Sequence, residues 1–114
     1  MELINRDLLI ITPKKACIDW VNTAFPDDPV YSPNMDDDFG SAYLTPEFES
    51  REEALQWLKK SWNIWFETLL IEWCVEPDLW PQNRTWEMLN DFFDIRYQSL
   101  VFDTLPLPIE KDED

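Results

Sequence analysis

The chain has 114 residues, and its nine basic and 24 acidic side chains leave a net charge of −15. This charge excludes direct binding of nucleic acid or anionic lipid, because proteins hold both through lysine and arginine contacts to phosphate. Seven tryptophans, seven phenylalanines and three tyrosines exclude a disordered chain, since disorder goes with few large apolar side chains. The length suits one domain with a core of its own.

The first predicted elements are a strand and a helix. The apolar run at 8–11 is short and partly β-branched, which is typical of a strand covered on both faces. Thr12 and Pro13 predict the start of a helix that runs to about Thr23, because a hydroxyl suits the N-cap and proline suits the first helical position. The spacing predicts one buried face on this helix: Ala16, Cys17, Trp20, Val21 and Ala24.

Residues 25–40 form a predicted acidic loop, with three prolines, five aspartates and the only glycine of the chain. Three of its carboxylates are consecutive: Asp36, Asp37 and Asp38. A calcium-binding EF-hand loop that starts at Asn34 needs glycine at its sixth position and glutamate at its twelfth, where this sequence has Phe39 and Thr45. We therefore predict a solvated loop without metal, whose carboxylates are available to a protein partner.

A second strand and a long helix follow. The strand is expected within 41–48, where Pro46 marks its end or an exposed edge. Ser50 and Glu53 have the spacing of a capping box, so one helix is predicted from this point to about Val75.

The predicted long helix contains four of the seven tryptophans. Side chains at intervals of three and four predict a buried stripe on it: Leu55, Leu58, Trp62, Trp65, Phe66, Leu69 and Trp73. Trp57, Ile64 and Ile71 do not fit the stripe, so either another segment covers them or they lie on the surface.

A short helix and a strand complete the domain. The helix is predicted to begin near Asn83–Thr85, after a turn that contains two prolines. Its predicted buried side consists of Trp86, Leu89, Phe92 and Phe93. The last strand is predicted over 94–105, and the acidic residues 106–114 are predicted to be a disordered tail.

This order of elements, β-α-β-α-α-β, predicts the α+β class. We expect a three-stranded, mostly antiparallel sheet packed by three helices, with residues 1–105 forming one compact domain. The N-terminus lacks the pattern of a secretory signal, and no apolar run is long enough to span a membrane, so we expect a cytoplasmic protein. Cys17 and Cys74 lie within apolar helical patterns, which favours buried reduced thiols over a disulfide.

The residue types exclude several catalytic sites. The chain has no histidine for a nucleophile system, one glycine where a phosphate loop needs several, and two cysteines where a zinc site needs four ligands. Three carboxylates lie at or beside apolar segments, where burial raises the pKa of an acid: Asp19, Asp94 and Asp103. They are weak candidates for a hydrolytic site, because such acids more often cap helices, face water or pair with Arg84 or Arg96.

The stretch 79–89 contains a second set of candidate residues. In a structural interpretation, Trp80 fills the end of the core and Arg84 pairs with Asp78 or Asp94. In a functional one, Trp80, Arg84 and Trp86 form a recognition patch, because tryptophan and arginine are favoured interface anchors.

Three motifs give the sequence a resemblance to a known family. They are Asp19-Trp20-x-Asn22, the pattern LWPxNRT from Leu79 to Thr85, and the pattern FDx4SxVFD from Phe93 to Asp103. In these motifs the chain resembles a family of short acidic bacterial proteins of unknown function. The resemblance implies a compact cytoplasmic bacterial protein and adds no activity.

The favoured hypothesis is a non-enzymatic binding module, without cofactor or metal, whose partner is another protein that is basic enough to be attracted by the negative charge. The module is expected to be a monomer or a weak homodimer. One alternative is a nucleic-acid mimic that occupies the groove of a DNA-binding protein, which requires carboxylates in rows at phosphate spacing. The other is a small carboxylate-dependent or metal-dependent hydrolase, which requires a pocket that holds at least two of the three aspartates.

Overall fold

The structure, a computed structural model, describes residues 1–30 and 39–111. In chain order its elements are β1 (Glu2–Leu3), β2 (Asp7–Pro13), α1 (Lys15–Ala24), β3 (Ser41–Thr45), α2 (Arg51–Lys59), α3 (Trp62–Ile71), a 3₁₀ turn (Pro77–Leu79), α4 (Trp86–Phe92), β4 (Phe93–Gln98) and β5 (Phe102–Asp103). The α+β class is confirmed. The predicted order is wrong, because the long helix is divided in two and because β1 and β5 form a second small sheet. None of the described helices is long and apolar enough to cross a bilayer.

The main sheet places β2 between β3 and β4, and both neighbours are antiparallel to it. Leu9 and Ile11 are buried against the helices, whereas Leu8 and Ile10 are only half-buried. The run at 8–11 is a strand, as predicted. The prediction that both of its faces are covered is wrong, because the described helices contribute their core residues to one face of the sheet.

The small sheet pairs β1 with β5 beyond the end of the β2–β4 ladder. From the pair Leu8–Gln98 to the pair Leu3–Phe102, the N-terminal segment covers five residues, whereas the C-terminal segment covers four. The extra residue shifts the register, as a β-bulge does, and interrupts both strands. One continuous strand over 94–105 is therefore wrong, since β4 ends at Gln98 and β5 has only two residues.

Helix α1 begins later than predicted. Thr12 and Pro13 are the last residues of β2, and the Lys14 N–H continues the ladder by donating to the Phe92 carbonyl oxygen at 2.7 Å. Pro13 is tolerated because it lies beyond the end of β3, where no described strand pairs with the side of β2 that lacks its N–H. The fully buried residues of α1 are Cys17, Ile18 and Val21.

A turn at Lys60 and Ser61 divides the predicted long helix into α2 and α3. The capping box at its start is confirmed in part: the Glu53 N–H donates to Ser50 Oγ at 3.2 Å, while the Glu53 carboxylate accepts from the Glu49 N–H at 2.9 Å. At Ser61 the backbone leaves the helical region, with φ −126° and ψ 39°. The Ser61 side chain makes no capping hydrogen bond to α3, so the break is a change of backbone conformation that the apolar spacing conceals.

The core lies between the helices and the inner face of the main sheet. Its buried apolar residues are Leu9, Ile11, Cys17, Val21, Ala54, Leu58, Phe66, Leu69, Leu70, Cys74, Trp80, Leu89, Phe93 and Ile95. The stripe is confirmed for Leu58, Phe66 and Leu69. It is wrong for the tryptophans, because the large rings of Trp62, Trp65 and Trp73 lie half-buried at the margin of this core: they pack against it without entering it.

Helix α4 begins as predicted and leads directly into β4. The Thr85 hydroxyl accepts from the Met88 N–H at 3.1 Å and caps the helix. Leu89 is buried, and Phe93 is buried as the first residue of the strand. The helix therefore connects the turn after α3 to the second neighbour of β2.

Both cysteines are buried and carry unpaired thiols. Burial raises the pKa of the Cys17 thiol to about 12. A thiol in this environment is protonated at neutral pH and is a poor nucleophile. The two residues thus serve as small apolar side chains of the core.

Gly40 brings the chain into β3 by passing close to β2. Its φ is +95°, and a Cβ atom at this position would lie 2.4 Å from the Ile11 carbonyl oxygen and 2.9 Å from the Thr12 Cα atom. Both the backbone angle and the close approach require glycine. The only glycine of the chain therefore sets the place where β3 joins the sheet.

Candidate functional site

Trp80 belongs to the core. Its side chain is 8% exposed, and its indole Nε1 donates to the Cys74 carbonyl oxygen at 2.8 Å. The Trp20 indole donates to the Leu79 carbonyl oxygen at 2.9 Å and holds the same turn against α1. A partner cannot reach a tryptophan in this position unless the core opens, so the structural interpretation fits Trp80.

Arg84 pairs with Glu67 and not with Asp78 or Asp94, the two partners predicted for it. Its Nη2 atom lies 3.2 Å from Glu67 Oε1, and its guanidinium carbon lies 5.7 Å from the centroid of the Trp80 ring. The predicted pairing is wrong because α3 passes beside the turn that holds Arg84. The neighbouring candidate, Trp86, is half-buried in the first turn of α4.

The three candidate catalytic aspartates lie on separate elements. Asp19 pairs with Lys15 at 2.7 Å on the exposed side of α1, and Asp94 in β4 lies 3.5 Å from Arg96 Nε. Asp103 is in β5, in the small sheet. The cavity beside β4 is lined by Asp94 but by neither of the other two, so it does not provide the paired acids that a hydrolase requires.

Asp36, Asp37 and Asp38 lie outside the described residues. Their contact with a partner, and the absence of metal from their loop, stay predictions. Within 1–30 and 39–111, no group of three Cys, Asp or Glu side chains has the arrangement to hold a metal ion.

Asp7 is a buried carboxylate that the sequence did not reveal. It is 4% exposed, and its Oδ2 atom accepts from the Tyr97 hydroxyl at 2.5 Å and from the Phe48 N–H at 2.8 Å. The hydrogen bond to Asp7 and the loss of solvation raise the pKa of Tyr97 to about 12. These contacts tie β4 and the segment after β3 to the start of β2, which makes them a structural clamp.

Glu72, which follows α3, forms a second and more open cluster. Its Oε1 atom accepts from the Tyr43 hydroxyl at 2.7 Å and from Ser41 Oγ at 2.9 Å. Burial, with the hydrogen bond to Glu72, raises the pKa of Tyr43 to about 12. The carboxylate is exposed at a cleft of about 450 Å³ that is also lined by Phe39, Gly40, Ser41 and Trp73. A carboxylate beside an indole is a suitable site for an ammonium or guanidinium group.

The face of the main sheet that points away from the helices is here called the outer sheet face. Its residues are Leu8, Ile10 and Thr12 of β2, Ala42 and Leu44 of β3, and Asp94, Arg96 and Gln98 of β4. None of them belongs to the core cluster. The β4 side of this face is polar, as expected for a solvated antiparallel sheet, but the β2 and β3 side is largely apolar. Leu44 is 48% exposed there.

The small sheet adds apolar surface near the chain ends. Leu3 and Phe102 lie opposite each other and are 57% and 50% exposed. Leu100, between the two sheets, is exposed as well. Large apolar side chains are therefore exposed on two separate sheet surfaces.

A side chain protects the β4 edge of the main sheet. In an antiparallel ladder, hydrogen-bonded and non-hydrogen-bonded residue pairs alternate. The bond from the Lys14 N–H to the Phe92 carbonyl oxygen shows that the even-numbered residues of β2 form the hydrogen-bonded pairs with β4. The peptide groups of Ile95 and Tyr97 consequently point away from β2. Arg51 Nη2 donates to the Ile95 carbonyl oxygen at 3.1 Å, so the guanidinium occupies this edge.

Comparison with known proteins gives no match for this chain. No family model matches it, and neither does any curated protein or solved structure. The resemblance to short acidic bacterial proteins stays a prediction.

Proposed function

We propose that this protein is a non-enzymatic binding module that holds a basic partner protein against the outer sheet face. The observation that carries the proposal is the apolar half of that face. Its residues are Leu8, Ile10, Ala42 and Leu44, which lie side by side on β2 and β3 and take no part in the core.

An apolar strip that faces water favours association. Covering it contributes about 25 cal/mol for each Å² of apolar surface removed from water. Apolar surface that is bordered by polar residues is typical of a protein–protein contact, and Arg96 and Gln98 of β4 form such a border. The polar residues set the limit of the strip, and the apolar residues supply the affinity.

The net charge of −15 indicates which kind of protein the partner is. Glu47 and Glu49, which follow β3 in the chain, are both exposed. Negative charge accelerates association with a basic surface and repels an acidic one. Charge complementarity therefore favours a basic partner over a second copy of this chain.

The recognition patch expected around Trp80 is replaced in this proposal by the outer sheet face. Trp80 is buried, and Arg84 is held by Glu67, so neither is available without a rearrangement. The separation of Asp19, Asp94 and Asp103 supports a non-enzymatic role. A cytoplasmic location and a monomeric or weakly dimeric state complete the proposal.

Site-specific photocrosslinking in an extract of the native cell tests this proposal. A photoreactive phenylalanine analogue replaces Leu44 in the full chain, and a matched control carries the analogue in place of Ile64, which is 68% exposed on α3. We expect one discrete adduct with a basic protein at Leu44 and none at Ile64. Its yield should fall when the salt concentration rises from about 0.05 to 0.5 M, because salt screens the attraction.

Two results would overturn the proposal. The first is no adduct at Leu44, or the same adducts at Leu44 and Ile64. The second is an adduct that disappears when duplex DNA is added, because competition with DNA identifies a nucleic-acid mimic.

A further inference from the structure

We infer that the partner presents an extended segment of alternating apolar and basic residues, which adds to the edge of β3 as a fourth strand of the main sheet. This inference rests on the proposed function and specifies how the partner binds. The occupant is a basic strand of another protein.

The strand register determines which backbone N–H and C=O groups of β3 can form hydrogen bonds with an added strand. The even-numbered residues of β2 exchange hydrogen bonds with β4, so its odd-numbered residues exchange them with β3. Leu9 opposite Tyr43 is therefore a hydrogen-bonded pair. The peptide groups of Ala42 and Leu44 point away from β2, and among the described residues β3 has no other strand neighbour.

Among residues 1–30 and 39–111, nothing covers the edge of β3, and the strand itself lacks the devices that usually prevent strand addition; Pro46 comes only after its last residue. Natural edges carry proline, inward charges, bulges or a covering side chain, and β4 has such a cover in Arg51. The sequence of β3, Ser-Ala-Tyr-Leu-Thr, contains neither a proline nor a charge. Its outward pair, Ala42 and Leu44, is exposed. A strand that binds by addition needs an edge with this composition.

The surroundings of β3 favour an alternating sequence in the added strand. Successive residues of a strand point to opposite faces. On the outer face they would meet Leu44 and the apolar strip. On the inner face they would meet Glu72, which Ser41 and Tyr43 orient through its Oε1 atom. A lysine or arginine on that face can bring its charge to the Glu72 carboxylate and its alkyl stem to Trp73.

The length of β3 sets the length of the segment. Its five residues span about 17 Å, so a peptide of about seven residues covers the edge with one residue to spare at each end. A second copy of the chain is disfavoured, because pairing β3 with β3 would bring two chains of charge −15 together.

Two synthetic peptides of equal composition test the inference. Lys-Val-Lys-Val-Lys-Val-Lys alternates, and Lys-Lys-Val-Val-Val-Lys-Lys does not, so nonspecific attraction to an acidic protein is the same for both. We expect the alternating peptide to bind about tenfold more tightly by calorimetry. Amide hydrogen exchange at Ala42 and Leu44 should slow, and chemical-shift changes should centre on residues 40–46.

Protein variants locate the contact. Ala42→Pro removes an outward N–H without removing a bond to β2, and it should weaken the alternating peptide about tenfold, whereas Ala42→Ser should not. Glu72→Gln should weaken it severalfold, whereas Glu52→Gln on α2, with the same change in charge, should have less than about a twofold effect. Leu44→Lys serves as a second edge variant, because its like charge should repel the peptide even if Ala42→Pro fails to fold.

Equal affinity of the two peptides, or exchange protection at β4 and not at β3, would overturn the inference. Its failure is distinguishable from failure of the proposed function. If the Leu44 crosslink persists while Ala42→Pro and Glu72→Gln change nothing, the partner binds the outer sheet face without adding a strand. If no Leu44 crosslink forms, the proposed function fails whatever the peptides do.

Discussion

Strands β3 and β4 flank β2 with the same residue type in the same register, since Tyr43 and Tyr97 both lie opposite Leu9. Each hydroxyl donates to a carboxylate, but Tyr97 reaches the buried Asp7, whereas Tyr43 reaches the exposed Glu72. A buried carboxylate has no water to replace a lost donor, so its hydrogen bonds are costly to break. The tyrosine of β4 therefore fixes that edge strand to the core, whereas the tyrosine of β3 leaves its strand freer to adjust.

The aromatic residues that pack beneath the two strands also differ in burial. Phe66 is fully buried and meets Phe93 of β4 edge-on, at 6.2 Å between ring centroids. Trp65 is half-buried and meets Tyr43 of β3 edge-on at 5.0 Å. Strand β4 is therefore supported from within the core, and β3 is supported from the margin of the core. A strand at the margin is the one that can accept a neighbour at little cost to stability.

The largest expected effect is that of Phe66→Ala, which removes the support of β4. Loss of a fully buried phenylalanine should lower the free energy of unfolding by about 3–5 kcal/mol. Trp65→Ala, beneath β3, should lower it by about 1–3 kcal/mol, because part of this ring is already in water. Urea unfolding of both variants measures the difference. Equal losses would show that the two strands depend on the same support.

Gly40→Ala should separate β3 from β2. The added Cβ meets the Ile11 carbonyl oxygen and the residue is held at positive φ, so we expect a loss of about 2–4 kcal/mol. Ser41→Ala, one residue on, is the control and should cost less than about 1 kcal/mol. Hydrogen exchange should quicken at the Leu9 and Ile11 amides, which face β3, and stay slow at the Ile10 amide. Uniform quickening would contradict the assigned register.

Removing each tyrosine hydroxyl compares the clamp at Asp7 with the cluster at Glu72 directly. Tyr97→Phe should lower the free energy of unfolding by about 1–3 kcal/mol, because Asp7 stays buried with one donor fewer. Tyr43→Phe should cost about 0.5–1 kcal/mol, because water can reach Glu72 and Ser41 still donates to it. Thermal and urea unfolding provide the measurement. A larger loss for Tyr43→Phe would reverse the comparison.

Alkaline pH should destabilise the fold through both tyrosines. The pKa values of Tyr43 and Tyr97 are raised to about 12 in the folded chain, above the ordinary value of about 10. Their stabilising contribution is therefore complete below about pH 10 and is lost as the pH rises towards 12. Urea titrations between pH 9 and 12 should show this decline, and either phenylalanine variant should reduce its slope. A flat profile for the unmodified chain would contradict the raised pKa values.

The smallest effect on stability is expected for Arg51→Ala. Loss of its part-buried hydrogen bond to Ile95 should cost at most about 1 kcal/mol, because Arg51 as a whole is exposed and water can replace the donor. The exposed edge of β4 should then bind the alternating basic peptide as well, which calorimetry detects as a second binding event, whereas the net charge of −15 still disfavours pairing of two chains. Arg6→Ala is the matched control, since Arg6 is exposed and its only hydrogen bonds within the described part of the chain are to Asn5. Equal behaviour of the two variants would contradict the role of Arg51 in covering the β4 edge.

The parts of the fold that the sequence predicts correctly depend on neighbours within a few residues. The Ser50–Glu53 spacing sets the start of α2, Thr85 sets the start of α4, and Pro46 follows the end of β3. The division between α2 and α3 escapes prediction, because apolar side chains keep a helical spacing across Ser61. The pairing of β1 with β5 escapes it too, since two-residue strands have no alternation to read.

The candidate site could be predicted less well than the fold. Leu8 and Ile10 are as apolar as Leu9 and Ile11, so composition does not show which face of β2 the helices cover. Asp7 and Tyr97 are 90 residues apart, and only the strand register brings them together. Trp80 attracts attention as an interface residue, but its indole N–H already has a partner in the core.

The burial of Cys17 and Cys74 makes the chain its own reporter of fluctuations. A buried thiol reacts with an alkylating reagent only during moments when its part of the core opens. Cys17 lies in α1, and Cys74 follows α3 near the Trp80 turn. The two alkylation rates therefore measure opening frequencies at two places in one molecule, without any introduced label.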